Sequence, residues 1–300
     1  MSKSDSLMIK DKKLKIAVAS GKGGTGKTFV SINFFNSLYL SGRNVVIVDC
    51  DAEEPNVMEF IKGTQIERAD ISQKVPYILQ NNCVFCGKCF EYCNYNAIIF
   101  LPESNYIKVL DDLCHSCGAC IEACSYSAIS ESDRHLGSVV RYLVHDSSEV
   151  IEACSDVGIY SPVPVIKKAL ENTDNGGVVI IDSPPGISCP FIAAVNKADY
   201  AILVTEPTPF GLNDLKLAAE TLKKMSKPFG VIVNKSGLGN DDVYEWLEEN
   251  NVRLLMEIPF DREIAKVYSE GRMLTDINEK YKGEFLALYD RIKEDLEKYD

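Results

Sequence analysis

The sequence predicts an α/β protein, built from a mostly parallel sheet with helices on both faces and interrupted by a small inserted α+β domain. Apolar runs of strand length alternate with amphipathic stretches of helical length along most of the 300 residues. Such alternation typically gives a parallel sheet covered by helices. Eight of the eleven cysteines lie between residues 83 and 124, which marks the insertion. With 46% hydrophobic and 25% charged residues, the chain has the composition of a folded domain.

The order of the predicted elements places the insertion inside the sheet. Strands are predicted at 14–20, 44–49, 178–183, 200–205, 229–234 and 253–258. Helices are predicted at 26–40, 164–172, 190–197, 211–225, 240–250, 262–269 and 282–298. Strand-like stretches at 75–79 and 139–144 flank the cysteines, and the stretch 145–170 fits no assignment well. We therefore predict a discontinuous domain of residues 1–80 and 132–300 that carries an inserted domain at 81–131.

Charge and hydropathy exclude several classes of partner. The net charge of −12 disfavours binding to nucleic acid, and no apolar run reaches the length needed to cross a bilayer. Residues 1–15 are polar and lack the apolar core of a secretion signal, so a cytoplasmic protein without membrane insertion is expected. The last predicted helix has an acidic polar face, and we expect its apolar stripe to pack on the core: Phe285, Leu288, Tyr289, Ile292 and Leu296.

A phosphate-binding loop follows the first predicted strand. Residues 20–28 read Ser-Gly-Lys-Gly-Gly-Thr-Gly-Lys-Thr and lead into a helix, which is the context that a Gly-x4-Gly-Lys-Thr loop requires. Its backbone N–H groups and the helix N-terminus favour bound phosphate. Lys27 is expected to reach the β- and γ-phosphates, and the Thr28 hydroxyl to bind Mg²⁺. The expected nucleotide contacts in this loop are Gly21, Gly23, Gly24, Thr25, Gly26, Lys27, Thr28 and Phe29.

The second lysine of this loop, Lys22, gives the sequence a resemblance to the deviant Walker A ATPases, the family of MinD, ParA, Mrp and the nitrogenase iron protein. In that family this lysine reaches the partner's phosphates across a nucleotide-sandwich dimer. The resemblance implies bound ATP or ADP with Mg²⁺ and ATP hydrolysis. It also implies a homodimer, or a heterodimer with a related ATPase.

The same resemblance assigns roles to residues at the ends of predicted strands, where an α/β sheet places its ligands. Asp51 is the candidate for positioning the attacking water and Asp49 lies nearer Mg²⁺, although the order of these two roles stays open. Asp182 ends an apolar strand and is expected to hold Mg²⁺ through water. The resulting catalytic candidates are Lys22, Lys27, Asp51 and Asp182. The candidates near the nucleotide base are Asn234, Lys235 and Pro259.

The clustered cysteines form two runs of C-x2-C-x2-C-x3-C, which repeat at an offset of 31 residues. Three thiolates in such a run can hold three corners of a four-iron cluster. In two-cluster ferredoxins, which this segment resembles, the fourth cysteine of each run ligates the other cluster. We therefore predict one [4Fe–4S] cluster on Cys83, Cys86, Cys89 and Cys124, and a second on Cys114, Cys117, Cys120 and Cys93.

Two features qualify this reading of the cysteine runs. Asn94 and Ser125 replace the usual proline after the fourth cysteine, although no ligand is lost. Two zinc sites are the alternative, but zinc usually takes paired C-x2-C hooks with a longer stretch between them.

The remaining cysteines leave a choice open. Cys189 follows the predicted Asp182 strand at a helix start, where the nitrogenase iron protein has a cysteine that holds a cluster shared by two subunits. That resemblance implies a third [4Fe–4S] cluster bridged by Cys189, with Cys154 as a second ligand. The alternative is that Cys189 is a small packing residue at the helix start. Cys50 is expected in the core.

Three functions are compatible with these motifs. The first is a Mg-ATP-dependent iron–sulfur protein whose dimer cycle gates electron transfer to, or metallocluster assembly on, a redox or metallocofactor-accepting partner protein. The second is a positioning or scaffold ATPase with structural or redox-sensing clusters. The third is an iron–sulfur cluster carrier, from which the sequence departs because it has no C-x2-C pair outside the cysteine runs.

Overall fold

A nine-stranded, mostly parallel sheet forms the centre of the protein, as the sequence predicts. The computed structural model describes residues 13–144, 148–171, 173 and 177–299. From one edge to the other the strand order is β11-β10-β9-β1-β8-β2-β7-β6-β3. The strands are β1 (Leu14–Ala19), β2 (Val45–Asp49), β3 (Thr64–Ile78), β6 (Ile129–Val144), β7 (Ser148–Ser155), β8 (Val178–Asp182), β9 (Tyr200–Thr205), β10 (Phe229–Ser236) and β11 (Leu254–Pro259). Strands β11 to β7 in this order are parallel, whereas β6 runs antiparallel to β7 and to β3.

Helices cover both faces of the sheet and enclose two apolar cores. One core packs α4 (Val163–Glu171), α5 (Cys189–Asn196), α6 (Pro209–Lys224) and α7 (Asp242–Glu249) on the sheet. The other packs α1 (Lys27–Leu40), α9 (Leu274–Ile277) and α10 (Glu279–Leu296), with α8 (Arg262–Ser269) beside them. Two short helices lie elsewhere, α2 (Lys88–Glu91) and α3 (Ala119–Glu122). The prediction of helices on both faces is therefore confirmed.

The last helix packs on the core. In α10, Phe285, Leu288, Tyr289 and Ile292 are all buried, and Phe34 of α1 stacks on Phe285 at 6.5 Å between ring centroids. On its polar face Asp290 and Glu294 are exposed, whereas Asp295 is buried and accepts hydrogen bonds from Tyr200 and Arg253. In the part of the chain that the structure describes, every helix is too short or too polar to cross a membrane.

The two strands that lead to the cysteines are longer than predicted. β3 and β6 extend over Thr64–Ile78 and Ile129–Val144, far beyond the predicted 75–79 and 139–144. Most side chains of β3 are polar and exposed, so its sequence lacks the apolar pattern that predicts a strand. β7 lies in the stretch that fitted no assignment. It is an interior strand, but it contains the buried Glu149, which pairs with Arg141, so its sequence is not the continuous apolar run typical of such strands. The helix predicted at 164–172 corresponds to α4, and residue 172 lies outside the described residues. Residues 1–12, on which the expectation of no secretion signal rests, also lie outside them.

The cysteine-rich segment forms a small unit at the end of a β-ribbon. We call β3 and β6 together the ribbon: they pair antiparallel from Thr64–Leu143 at the main sheet to Ile78–Ile129 at the unit. Beyond it lie the helices α2 and α3 and a two-stranded sheet of β4 (Ile98–Leu101) and β5 (Tyr106–Val109). The unit has its own core, made of Cys89, Ile98, Ile107, Val109, Cys120 and Ile129. A paired ribbon is stiffer than a loop linker, so the unit is held by regular structure.

Candidate functional site

The glycines of the phosphate loop allow it to pack closely against β10 and α6. Gly26 has φ 94°, and a Cβ there would lie 2.3 Å from Asn234 Nδ2. That amide donates a 2.8 Å hydrogen bond to the Thr25 carbonyl and so braces the loop. A Cβ on Gly21 would lie 2.3 Å from the Asp214 carbonyl of α6. Thr25 Oγ1 is buried without a hydrogen-bond partner among the described residues, which is consistent with a hydroxyl that bonds to a ligand.

Lys27, Thr28, Asp51 and Asp182 meet at the carboxyl ends of the central strands. Thr28 Oγ1 donates a 2.7 Å hydrogen bond to Asp182 Oδ2. Burial raises the pKa of Asp182 to about 6, while the bond from Thr28 and the charge of Lys27 oppose the rise. Burial also lowers the pKa of Lys27, against the attraction of Asp182 and Asp51. These residues therefore combine hydroxyl, carboxylate and ammonium groups of the kind that bind Mg²⁺ and phosphate.

Ser31, which is not among the predicted site residues, also belongs to this site. Its hydroxyl donates a 2.9 Å hydrogen bond to Asp182 Oδ1, so both oxygens of this carboxylate are held by α1. The available signal is the spacing: Ser31 follows Thr28 by three residues and therefore lies on the same face of the helix.

Asp49 has a different environment from the one its predicted role suggests. Its oxygens accept backbone N–H groups from Asp51 at 3.0 Å, Asn56 at 2.9 Å and Val57 at 3.0 Å. Burial, followed by the nearby charge of Asp182, raises its pKa to about 8. The carboxyl group thus fastens loop 51–57 to the end of β2, and its role as a Mg²⁺ ligand stays a prediction.

The residues predicted near the base lie at the ends of β10 and β11. Asn234 braces the phosphate loop, and Lys235 Nζ lies 2.5 Å from Glu206 Oε1. Glu206 also lies 3.7 Å from Lys22 Nζ, and no sequence pattern pointed to it. Pro259 is exposed at the end of β11.

The side chain of Phe29 does not face the phosphate loop. Its ring packs in the core, edge-on to Tyr268, with 5.7 Å between the ring centroids. Because the first turn of a helix leaves backbone N–H groups unpaired, the amide of Phe29 is its group available to a phosphate.

The structure gathers the eight clustered cysteines into the two sets that crossed ligation requires. One cavity is lined by Cys83, Cys86, Cys89 and Cys124, and another by Cys93, Cys114, Cys117 and Cys120. The two runs repeat each other in backbone as well as in sequence. Left-handed residues recur at matching positions, namely Phe85 and Ser116, Gly87 and Gly118, and Asn96 and Ser127.

Backbone amides point at several of these sulfur atoms. Ala97 N donates to Cys93 Sγ and Ala128 N to Cys124 Sγ, each at 3.3 Å. Such bonds stabilise thiolate and tune the potential of a bound cluster. No group of three or more His, Cys, Asp or Glu side chains within the described ranges converges on a single metal ion. A four-iron cluster places each thiolate on a different iron, so two wider sets of four sulfur atoms suit it.

His115 lies beside the second cysteine set without being part of the repeated ligand frame. It lines the cavity of Cys93, Cys114, Cys117 and Cys120. Its ring stacks on Tyr95, with 3.9 Å between the centroids and 16° between the planes.

The other three cysteines have separate environments. Cys189 is exposed as the first residue of α5. Cys154 is half-buried on β7, and burial raises its pKa to about 11. Cys50 is fully buried in the core, as expected. A cluster on Cys189 and Cys154 stays a prediction.

Hydrogen bonds join the loop after β2 to the end of β7, and the residue after β7 is bonded to the ribbon. The Ala52 carbonyl accepts the backbone N–H of Ser155 at 2.8 Å and its hydroxyl at 3.0 Å, at the end of β7. The next residue, Asp156, donates its N–H to the Leu136 carbonyl of β6 at 2.9 Å. A movement of loop 51–57 would therefore disturb the end of β7 and, through Asp156, the middle of β6.

The half of the ribbon nearer the cysteine unit is bonded to the second cysteine run and to the residues just before it. Gln73 Nε2 donates a 2.6 Å hydrogen bond to the Cys114 carbonyl, and the Ser116 hydroxyl donates to the Lys74 carbonyl. Arg134 of β6 pairs with Asp112 just before that run. Loop 51–57 and the second cysteine run are thus connected through β7 and the ribbon.

The chain is similar along most of its length to known nucleotide-binding proteins. Residues 16–274 match the family described as the CobQ/CobB/MinD/ParA nucleotide binding domain. The uncharacterized protein MJ0578 of Methanocaldococcus jannaschii is 32% identical over 289 residues, which are 94% of this chain and 97% of that protein. An iron–sulfur cluster carrier protein of Pyrococcus furiosus is 27% identical over 83% of this chain and 75% of its own length.

The fold also agrees with a solved structure. The cell division ATPase MinD of Pyrococcus furiosus superimposes with a TM-score of 0.57 at 22% identity, over 94% of this chain and 98% of that one. At this identity the likeness concerns the fold alone. The extent of the family match over strands, phosphate loop and acidic strand ends shows that the chain belongs to the CobQ/CobB/MinD/ParA nucleotide-binding domain family.

Proposed function

We propose that this protein is a Mg-ATP-dependent iron–sulfur protein. In this proposal a nucleotide-driven dimer cycle gates electron transfer to, or metallocluster assembly on, a partner protein. The observation that carries it is a path of hydrogen bonds with one end at loop 51–57 and the other at the second cysteine run. Ala52 bonds to Ser155 of β7, Asp156 bonds to Leu136 in the middle of the ribbon, and Gln73 of the ribbon bonds to Cys114. A nucleotide switch that moves one end would displace the other.

Four residues of the phosphate site have roles in ATP hydrolysis in this proposal. Lys27 neutralises the charge that develops on the transferred phosphate, and Asp51 orients the attacking water. Thr28 and Asp182 are the groups that would hold Mg²⁺, which supplies further charge neutralisation when bound. Lys22 acts on the nucleotide of a second protomer, either an identical chain or a related one.

The iron–sulfur half assigns two [4Fe–4S] clusters to residues 81–131, with the crossed ligand sets that line the two cavities. Such clusters supply one-electron chemistry when bound. The chain's own part is to present thiolates, to donate N–H groups to sulfur, and to fix the unit on the ribbon. We propose that this segment is a ferredoxin-like domain inserted in the nucleotide-binding domain.

A second candidate function is delivery of a labile cluster to an apo-protein. It is favoured by the similarity to relatives described as iron–sulfur cluster carrier proteins and by the exposed thiol of Cys189. In this case a cluster bridged between protomers by Cys189, with Cys154, would be the cargo.

The iron and acid-labile sulfide content of anaerobically purified protein tests the proposal. Two clusters predict about 8 iron atoms per chain, and one further cluster shared by two chains predicts about 10. A value near 8 that is unchanged in Cys189→Ser supports the electron relay. A value near 10 that falls to 8 in this variant favours the carrier. Protein that holds zinc and no sulfide would contradict both.

A further inference from the structure

Glu206 shares its carboxylate between two lysines at the edge of the phosphate loop. Lys235 Nζ lies 2.5 Å from Oε1, and Lys22 Nζ lies 3.7 Å from Oε2. The Glu206 side chain is only 15% exposed, against 33% for Lys22 and 41% for Lys235. One largely buried carboxylate therefore neutralises two ammonium groups incompletely.

The backbone that carries this carboxylate has no room to shift. A Cβ on Gly211 would lie 2.2 Å from the Glu206 carbonyl, and one on Gly239 only 1.3 Å from the Pro207 carbonyl. The Thr208 N–H donates a 2.8 Å hydrogen bond to the Glu206 carbonyl. The close contact with Lys235 further fixes the side chain, so Glu206 is the stationary member of the trio.

Lys22 is the member that can leave. Its contact with Glu206 is the longer of the two, it belongs to the glycine-rich loop, and a partly exposed ion pair is weak enough to exchange. A nucleotide triphosphate offers several negative charges, whereas Glu206 offers one that Lys235 already shares. Exchange of Lys22 from Glu206 to a triphosphate is therefore favoured by charge, and less so for a diphosphate.

We propose that Glu206 is a positioning residue, which holds Lys22 on its own protomer until a nucleotide-bound second protomer competes for it. This inference rests on the nucleotide-dependent dimer of the proposed function. Glu206 then sets how much triphosphate-bound protein is needed for dimers to form, because each closing interface must first break the pair between Glu206 and Lys22.

The test is the protein concentration at half-dimerisation, measured by sedimentation velocity with Mg²⁺ and the non-hydrolysable ATP analogue AMPPNP. Glu206→Gln should lower this concentration by about five- to tenfold, since Lys22 is then released beforehand. In a Lys22→Ala background the same substitution should have no effect. Glu220→Gln is the matched control: it removes an exposed carboxylate of α6, 3.7 Å from Lys224, and should leave dimerisation unchanged.

The outcomes separate this inference from the proposed function. If the wild-type protein stays monomeric with AMPPNP, the dimer cycle itself is wrong and the role of Glu206 falls with it. If the wild type dimerises but Glu206→Gln matches it, or acts equally in Lys22→Ala, Glu206 does not restrain Lys22. Should Glu206→Gln fail to fold, Glu206→Asp decides, because its shorter side chain should give a smaller shift of the same sign, and no shift would overturn the proposal.

Discussion

At the scale of single residues, the nucleotide site is organised by two buried acids with different partners. Asp182 is held by the hydroxyls of Thr28 and Ser31, both on α1. Asp49 is held by backbone N–H groups of the loop that follows β2. Asp182 is therefore bonded to the helix that follows the phosphate loop, and Asp49 is bonded to loop 51–57. Their proximity raises the cost of ionising both in the absence of a cation.

This pair predicts a pH dependence of stability for nucleotide-free, Mg²⁺-free protein. The pKa of Asp49 is 3.8 in the unfolded chain and about 8 in the folded protein, so the native state binds more protons than the unfolded state between these two pH values. The free energy of unfolding should therefore fall as pH rises from 6 to 8. Urea denaturation at each pH measures this. Asp49→Asn should be less stable overall but show a flatter slope, and an equal slope in both proteins would contradict the assignment.

At the scale of elements, the two cysteine runs are one structure used twice. They share left-handed positions, and each run contributes three cysteines to one cavity and the fourth to the other. In each run a short helix, α2 or α3, begins after a left-handed glycine, Gly87 or Gly118. A lost fourth cysteine should therefore damage the cluster of the other run.

Matched serine variants test this crossing. Cys93→Ser and Cys117→Ser should leave the same residual electron paramagnetic resonance spectrum after reduction, because both remove a ligand of the second set. Cys124→Ser and Cys86→Ser should share the other residual spectrum. If the protein holds two clusters with about 8 iron atoms, each variant should lose about half of this iron. If the spectrum of Cys93→Ser instead matches that of Cys86→Ser, each run ligates its own cluster.

The sequence predicts the buried elements well and the ribbon poorly, for a physical reason. Strands such as β1 and β8 are buried on both faces and read as continuous apolar runs, so their limits differ from the prediction by one residue. β3 is solvent-exposed over most of its length and owes its form to pairing with β6. The ribbon also contains an extra residue, Leu136, next to Gly137 at φ 150°, and no local pattern predicts this bulge.

The candidate site residues that lie in contiguous motifs could likewise be predicted from the sequence, whereas those that depend on distant partners could not. The phosphate loop and the cysteine sets are contiguous motifs, and the structure brings each group together. Glu206 and Ser31 act through partners distant along the chain, since Glu206 meets Lys22 and Ser31 meets Asp182. Such contacts depend on strand order, which the sequence of one chain does not specify.

For the whole molecule, we propose that nucleotide state and cluster state are coupled through the ribbon. Coupling between two sites is reciprocal, so a nucleotide that changes the reduction potential must bind the two redox states differently. The bonds of Ala52 to Ser155 and of Gln73 to Cys114 are the two ends of the connection. Breaking either end should weaken the coupling while leaving each site able to bind its ligand.

The most direct measurement is a redox titration of the cluster signals with and without AMPPNP and Mg²⁺. We predict a shift of about 60 mV or more, the size that a tenfold difference in nucleotide affinity gives for one electron. Gln73→Ala should reduce the shift, whereas Gln65→Ala, on the same strand but distant from the cysteines, should preserve it. Identical potentials with and without AMPPNP, in protein shown to bind the analogue, would contradict the coupling.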